Sequence, residues 1–130
     1  MVDKTHLAML RSGVNEWNAW RLTHADERPA LADAHLCGLD LIGAKLAEAD
    51  LRRADLRGTD LSDAELAGAH LEGANFFRTV LDRADLAGAS LIGAQFLQCD
   101  QLTTARNWQS ALRDSPLACG APIPPGHARH

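Results

Sequence analysis

The chain has 130 residues, 46% of them hydrophobic, and a formal charge of −4, the size and apolar content expected of one soluble domain. No apolar run approaches the ~20 residues that cross a bilayer as a helix, and the first residues lack the continuous apolar core of a signal peptide. A helical membrane protein is thereby excluded, and from an acidic chain no direct nucleic-acid contact is expected.

At the N-terminus, Leu7, Leu10, Val14 and Trp17 recur at steps of three and four. That spacing predicts one amphipathic helix over about residues 4–22, within a capping and linker segment spanning 1–28. Asp3 or Thr5 can cap its start, and Gly13 weakens its middle. Trp20 and Leu22 add bulk at its end, and His24 to Pro29 lead into the next element.

From residue 29 to 101 the chain keeps a five-residue beat. Leu36, Leu41, Leu46, Leu51, Leu56, Leu61, Leu66, Leu71, Phe76, Leu81, Leu86, Leu91 and Phe96 stand five apart. In an α-helix a step of five turns about 140°, so these residues would spiral round the cylinder. In a straight strand an odd step alternates faces, so half of them would meet water. The backbone must instead turn a corner every five residues, with the whole column pointing inward.

Two places ahead of each lies a second inward column, mostly Ala, whose exceptions are Leu39, Thr59, Thr79 and Cys99. All four stand twenty residues apart. Scattered at random over the fourteen places, they would fall on one such track in roughly two arrangements per thousand, so the period is real. Four five-residue sides therefore make one turn. Arg52 before Glu72 and Asp63 before Arg83 then set opposite charges on adjacent rungs. Glycine follows the inward leucine by two places at seven positions, Gly38 and Gly58 among them, where a corner needs positive φ.

These units resemble the pentapeptide-repeat family, whose motif is Ala-(Asp/Asn)-Leu-X-X. Clear copies are Ala49-Asp50-Leu51-Arg52-Arg53, Ala54-Asp55-Leu56-Arg57-Gly58 and Ala84-Asp85-Leu86-Ala87-Gly88. The resemblance covers about residues 29–100 and implies an all-β solenoid, a right-handed quadrilateral β-helix. Thirteen units make about 3 to 3.5 coils, roughly 15 Å tall at a strand spacing of about 4.8 Å. Both ends of such a stack need covering.

After the coil, Thr103 or Thr104 can cap a second helix, predicted over 102–114, with Ala105, Trp108, Ala111 and Leu112 on one side. The two terminal helices are read as lids. The tail, 115–130, carries Pro116, Pro122, Pro124 and Pro125 and is expected to be extended or disordered. Cys37, Cys99 and Cys119 are odd in number and show no framework or metal spacing. A reducing, bacterial-type cytoplasm is the expectation.

The sequence contains no P-loop, zinc spacing or nucleophile elbow, so no catalytic residue, cofactor or metal is expected. His127 and His130 lack a rigid frame that would hold a metal, and His35 and His70 read as solvated surface. The expected role is a non-enzymatic protein-interaction or structural module with a protein partner, a homodimer included. Its contact residues would be Phe77 and Leu97, twenty apart on one outward track, with Val80 round the next corner. The alternative comes from the resemblance: quinolone-resistance members mimic DNA and modulate DNA gyrase. Over residues 31–100 there are twelve Asp and Glu against six Lys and Arg, with Asp40 and Asp60 on one track. Yet Arg52, Arg53, Arg57, Arg78 and Arg83 interrupt the field that mimicry needs.

Overall fold

The computed structural model describes residues 2–125. Two helices, α1 (Lys4–Ser12) and α2 (Val14–Thr23), precede the coil. One helix was expected there. Gly13, at φ 133° and ψ 153°, breaks it, a conformation open to glycine alone without strain. Asp3 is the cap, its carboxylate accepting from the N–H groups of Thr5 (2.8 Å) and His6 (3.1 Å).

From Ala30 onward the chain winds with twenty residues per turn. Parallel bridges join residues twenty apart, Ala30 to Asp50, His35 to Asp55, Asp40 to Asp60, Lys45 to Glu65, and so on to Asn75 and Gln95. Each is one residue long, because a corner interrupts the pairing every five residues. At every corner the N–H of the small inward residue donates to the carbonyl of the preceding leucine, as in Ala34 to Leu31 (3.1 Å) and Ala54 to Leu51 (3.0 Å). The third residue of each turn has positive φ, which is the signature of a type II turn. Seven of the thirteen corners from 33 to 93 place glycine there. The other six hold Asp33, Glu48, Arg53, Asp63, Arg78 and Arg83 at φ near 60°.

The second residue of the motif acts at the same corners. The side-chain oxygens of Asp40, Asp50, Asp55, Asp60, Asn75 and Asp85 accept from the N–H two residues on, at 3.0 to 3.2 Å. These Asx turns fix the corner from outside while the leucine fills it from inside.

The inward leucines from Leu36 to Leu91, with Phe76, are fully buried, each burial worth about 1.5–3 kcal/mol. Thr59 and Thr79 are buried in the second column, their hydroxyls donating to the carbonyls of Leu36 (2.7 Å) and Leu56 (2.6 Å) on the rung below. Leu39, Ala94 and Cys99 of that column are only partly buried.

Phe96 departs from its expected place. It is 64% exposed, whereas Leu97, read as outward, is 8% exposed. The backbone enters the left-handed region at Phe96 (φ 58°), and a four-residue helix, α3 (Cys99–Leu102), begins three residues later with a Gln98–Gln101 capping box. That shift of register brings Leu97 and Leu102 inside. It also lets the Gln101 side chain donate to Phe76 O (2.8 Å) and Thr79 O (3.0 Å).

The helix expected over 102–114 is not formed. The rung from 81 to 95 presents a row of N–H groups, and backbone carbonyls satisfy them: Arg83 donates to Thr104, Leu86 to Arg106 and Leu91 to Leu112. A helix spends its carbonyls internally and cannot serve such an edge. The bridges Asp85 to Arg106 and Ser90 to Leu112 are offset by more than twenty residues, with α3 and a 3₁₀ turn at Trp108–Ser110 absorbing the excess.

The tail is ordered as far as it is described. Ser115–Leu117 form a 3₁₀ turn with Leu117 buried, and Cys119 forms a disulfide with Cys99. This bridge removes the ground on which a reducing compartment was expected, since the odd count conceals a pair and leaves Cys37 free. Residues 126–130, with His127 and His130, lie outside the described residues. Replacing Cys119 with Ser is expected to lower stability by about 3 kcal/mol for a loop of this length. A fall in Tm that reductant reproduces in the parent and does not deepen in the variant checks it.

Among the described residues no helix is long and apolar enough to cross a membrane.

Candidate interaction surface

The coil presents four faces, each lined by the bridge residues of successive rungs. They run Ala30, Asp50, His70, Ser90; His35, Asp55, Asn75, Gln95; Asp40, Asp60, Val80; and Lys45, Glu65, Asp85. Three pairs of opposite charges meet across adjacent rungs. Arg53 reaches Asp33 on the rung below (2.9 and 3.1 Å), Arg83 reaches Asp63 (3.1 and 3.2 Å), and Lys45 meets Glu65 (3.2 Å). The expected Asp63–Arg83 adjacency is present. Arg52 instead forks onto Asp50 of its own rung (2.8 and 2.7 Å), as Arg57 does onto Asp55. Glu72 lies nearest His70, at 3.5 Å.

These guanidiniums hold the Asp33, Asp50, Asp55 and Asp63 carboxyls below the usual carboxylate range through hydrogen bonds to the ionised form. Exposed pairs of this kind add little stability each. Their effect on the surface is to neutralise four of the twelve acids between residues 31 and 100. Asp40 and Asp60 share one face as expected, and among the described residues neither meets a Lys or Arg; Asp60 accepts from the Ser62 hydroxyl at 2.6 Å.

Against this polar background stands one aromatic pair. Phe77 (49% exposed) and Phe96 meet edge to face with ring centroids 5.9 Å apart, and the Arg78 guanidinium lies 5.5 Å from the Phe77 centroid. Val80 is exposed on the next side. Of the expected contact residues, then, Phe77 and Val80 are outside, and Leu97 is replaced by Phe96. The track of Ala47, Ala67 and Ala87 is crossed at its edge by the Glu48 carboxylate, which lies where a side chain on Gly68 would stand.

A model of pentapeptide repeats matches residues 30–63 and 64–100, in eight copies. The chain belongs to the pentapeptide repeat family. Among solved structures, a pentapeptide repeat protein from Nostoc Pcc 7120 is 31% identical, with 80% of this chain and 91% of that one covered and a TM-score of 0.40. HetL, a pentapeptide repeat protein involved in heterocyst differentiation regulation from Nostoc sp. strain PCC 7120, is 30% identical, with 71% of this chain and 44% of that one covered and a TM-score of 0.29. QnrB1, a plasmid-mediated fluoroquinolone resistance protein, is 15% identical over 67% of this chain and 61% of that one, with a TM-score of 0.22. No curated protein matches the chain.

Beyond the family motif, the structure shows caps that the five-residue beat did not reveal. On the N-terminal side, Trp17 Nε1 donates to Lys45 O (2.8 Å), and Asn18 both accepts from Lys45 N (2.8 Å) and donates to Gly43 O (3.0 Å). Arg21 donates to Ala47 O (3.3 Å), and Arg11 to His35 O. His6 is buried, its Nδ1 accepting from Ala30 N–H (2.9 Å). Because a backbone amide can only donate, the ring proton sits on Nε2 and points to Glu27 Oε1, 3.0 Å away. At the other end, Arg113 is buried among carbonyls.

Proposed function

We propose that this pentapeptide repeat protein is a non-enzymatic protein-interaction module, its coil being the right-handed four-sided β-helix that the family resemblance implied, and its contact face the Phe77–Phe96 pair with Val80. The exposed aromatic pair carries this reading. Two rings left in water on a surface that is otherwise largely polar lose apolar burial that a partner would restore. Arg78 beside Phe77 adds a residue type that contact surfaces favour.

The partner in the simplest version is a second copy. Phe77→Asp leaves the interior untouched, so its Tm should stay close to that of the parent while self-association falls. Sedimentation or light scattering checks this, and a parent that is already monomeric at high concentration removes the homodimer.

Mimicry of DNA, the second reading, rests on the acids that meet no Lys or Arg among the described residues, with Asp40 and Asp60 on one face. Arginine meets Asp33, Asp50, Asp55 and Asp63, which breaks the extended negative field such a mimic requires. A gyrase supercoiling assay with micromolar protein and no inhibition would dismiss it.

A further inference from the structure

The first rung has no rung before it, so its outward backbone groups need other partners. On two sides the N-terminal segment supplies most of them, and on the His35 side it takes only the His35 carbonyl, leaving His35 N–H and Cys37 O without a partner among the described residues. Ala30 N–H is taken by His6 and Ala30 O by Asp3 N–H; His35 O is taken by Arg11; and Gly43 O, Lys45 N–H, Lys45 O and Ala47 O are taken by α2 side chains. On the side of Asp40 the pattern stops. Asp40 pairs with Asp60 through its neighbours: Leu41 N–H donates to Asp60 O (2.9 Å), and Leu39 O accepts from Asp60 N–H (3.0 Å). Its own N–H and C=O therefore point the other way, as does the carbonyl of Ile42. Among the described residues none of these three groups has a partner.

A cleft of about 600 Å³ lies there, between this edge and the break at Gly13, with Val14, Glu16, Asp40 and Ile42 in its walls. Ile42 is 45% exposed. Glu16 and Asp40 form no ion pair among the described residues.

We propose that this cleft takes an extended basic peptide of another protein, which lies on the Asp40 to Ile42 edge as the missing strand of the rung. Its backbone would accept from Asp40 N–H and donate to the Asp40 and Ile42 carbonyls, the pairing that strand addition uses at an open edge. A Lys or Arg placed over Asp40 repeats the cross-rung charge match seen at Asp33–Arg53 and Asp63–Arg83. An apolar residue beside it covers Ile42. This surface lies on the first rung, away from Phe77 and Phe96, and stands independently of the reading above.

The test uses the full chain and a blocked pentapeptide alternating valine and lysine, followed by amide NMR with hydrogen exchange. Expected are saturable shifts at Asp40 and Ile42 and slowed exchange of the Asp40 amide. Asp40→Asn, which keeps the turn to Ile42 N–H and removes the charge, should weaken binding about two- to fivefold. N-methylation of alternate peptide amides should abolish it, and Phe77→Asp should leave it unchanged. Equal binding by the N-methylated or a glutamate-containing peptide, shifts confined to other rungs, or no binding at millimolar peptide would each overturn the proposal.

Discussion

Phe76→Asp is expected to yield no folded protein at room temperature. Phe76 is wholly buried in the column above Leu56, and two costs fall together on the substitution. Truncating a core Phe forfeits about 3–5 kcal/mol. Leaving an ionised carboxylate inside without a partner costs several kcal/mol more, or forces it to bind a proton. Their sum matches the whole stability of an ordinary domain, about 5–15 kcal/mol. Phe76→Leu is the control: all eleven other column positions from 36 to 91 are Leu, so the swap should cost about 1.5 kcal/mol or less. Circular dichroism and thermal melting separate the two variants. An aspartate variant that melts at the parental temperature would refute the inward column.

The column was legible because the coil is periodic. A residue type that must recur every five places for purely geometric reasons leaves its mark in any one sequence, and the type II corners and cross-rung charges follow from it. The ends were not legible, because each cap solves a local problem once. Nothing in the spacing of His6, Trp17 or Asn18 says that their polar atoms meet the backbone of residues 30 to 45, twenty-four to twenty-eight places on. The same holds at Phe96, where the beat continues by one unit beyond the coil itself. Leucine-like periodicity there could not reveal that Gln98 and Gln101 would cap a short helix and exchange the roles of Phe96 and Leu97. The contact face was half missed for that reason: Phe77 was visible from its track, whereas its aromatic partner was assigned to the interior.

Arg113→Ala is expected to release the C-terminal cap, at a cost of about 3–5 kcal/mol. The side chain is 1% exposed and uses all five of its N–H donors on carbonyls: Nε to Ala111, Nη1 to Leu117 and Ala118, Nη2 to Gln109 and Pro122. Trp108 packs over it, 5.1 Å from its ring centroid to the guanidinium carbon. No carboxylate is among these partners, and burial pushes the guanidinium below its usual value, a direction that still leaves it charged. The segment from 109 to 122 is therefore gathered round one cation by backbone dipoles. Truncation strands five acceptors at once, each costing about 1–3 kcal/mol if it stays dry, so the segment should open and let water in before the full sum is reached. Lysine offers three donors from a single nitrogen in place of a planar fork, so Arg113→Lys should recover only part of the loss. Because the contacts are buried and involve no counter-ion, the difference between parent and variant should hardly change between low salt and 1 M salt. Hydrogen exchange at the amides of Leu91 and Leu112, which join the last rung to this segment, should accelerate in Arg113→Ala while that of Leu56 stays slow. Unchanged protection at Leu112, or a stability loss under 0.5 kcal/mol, the range of ordinary surface substitutions, would show that the cap holds without its central cation.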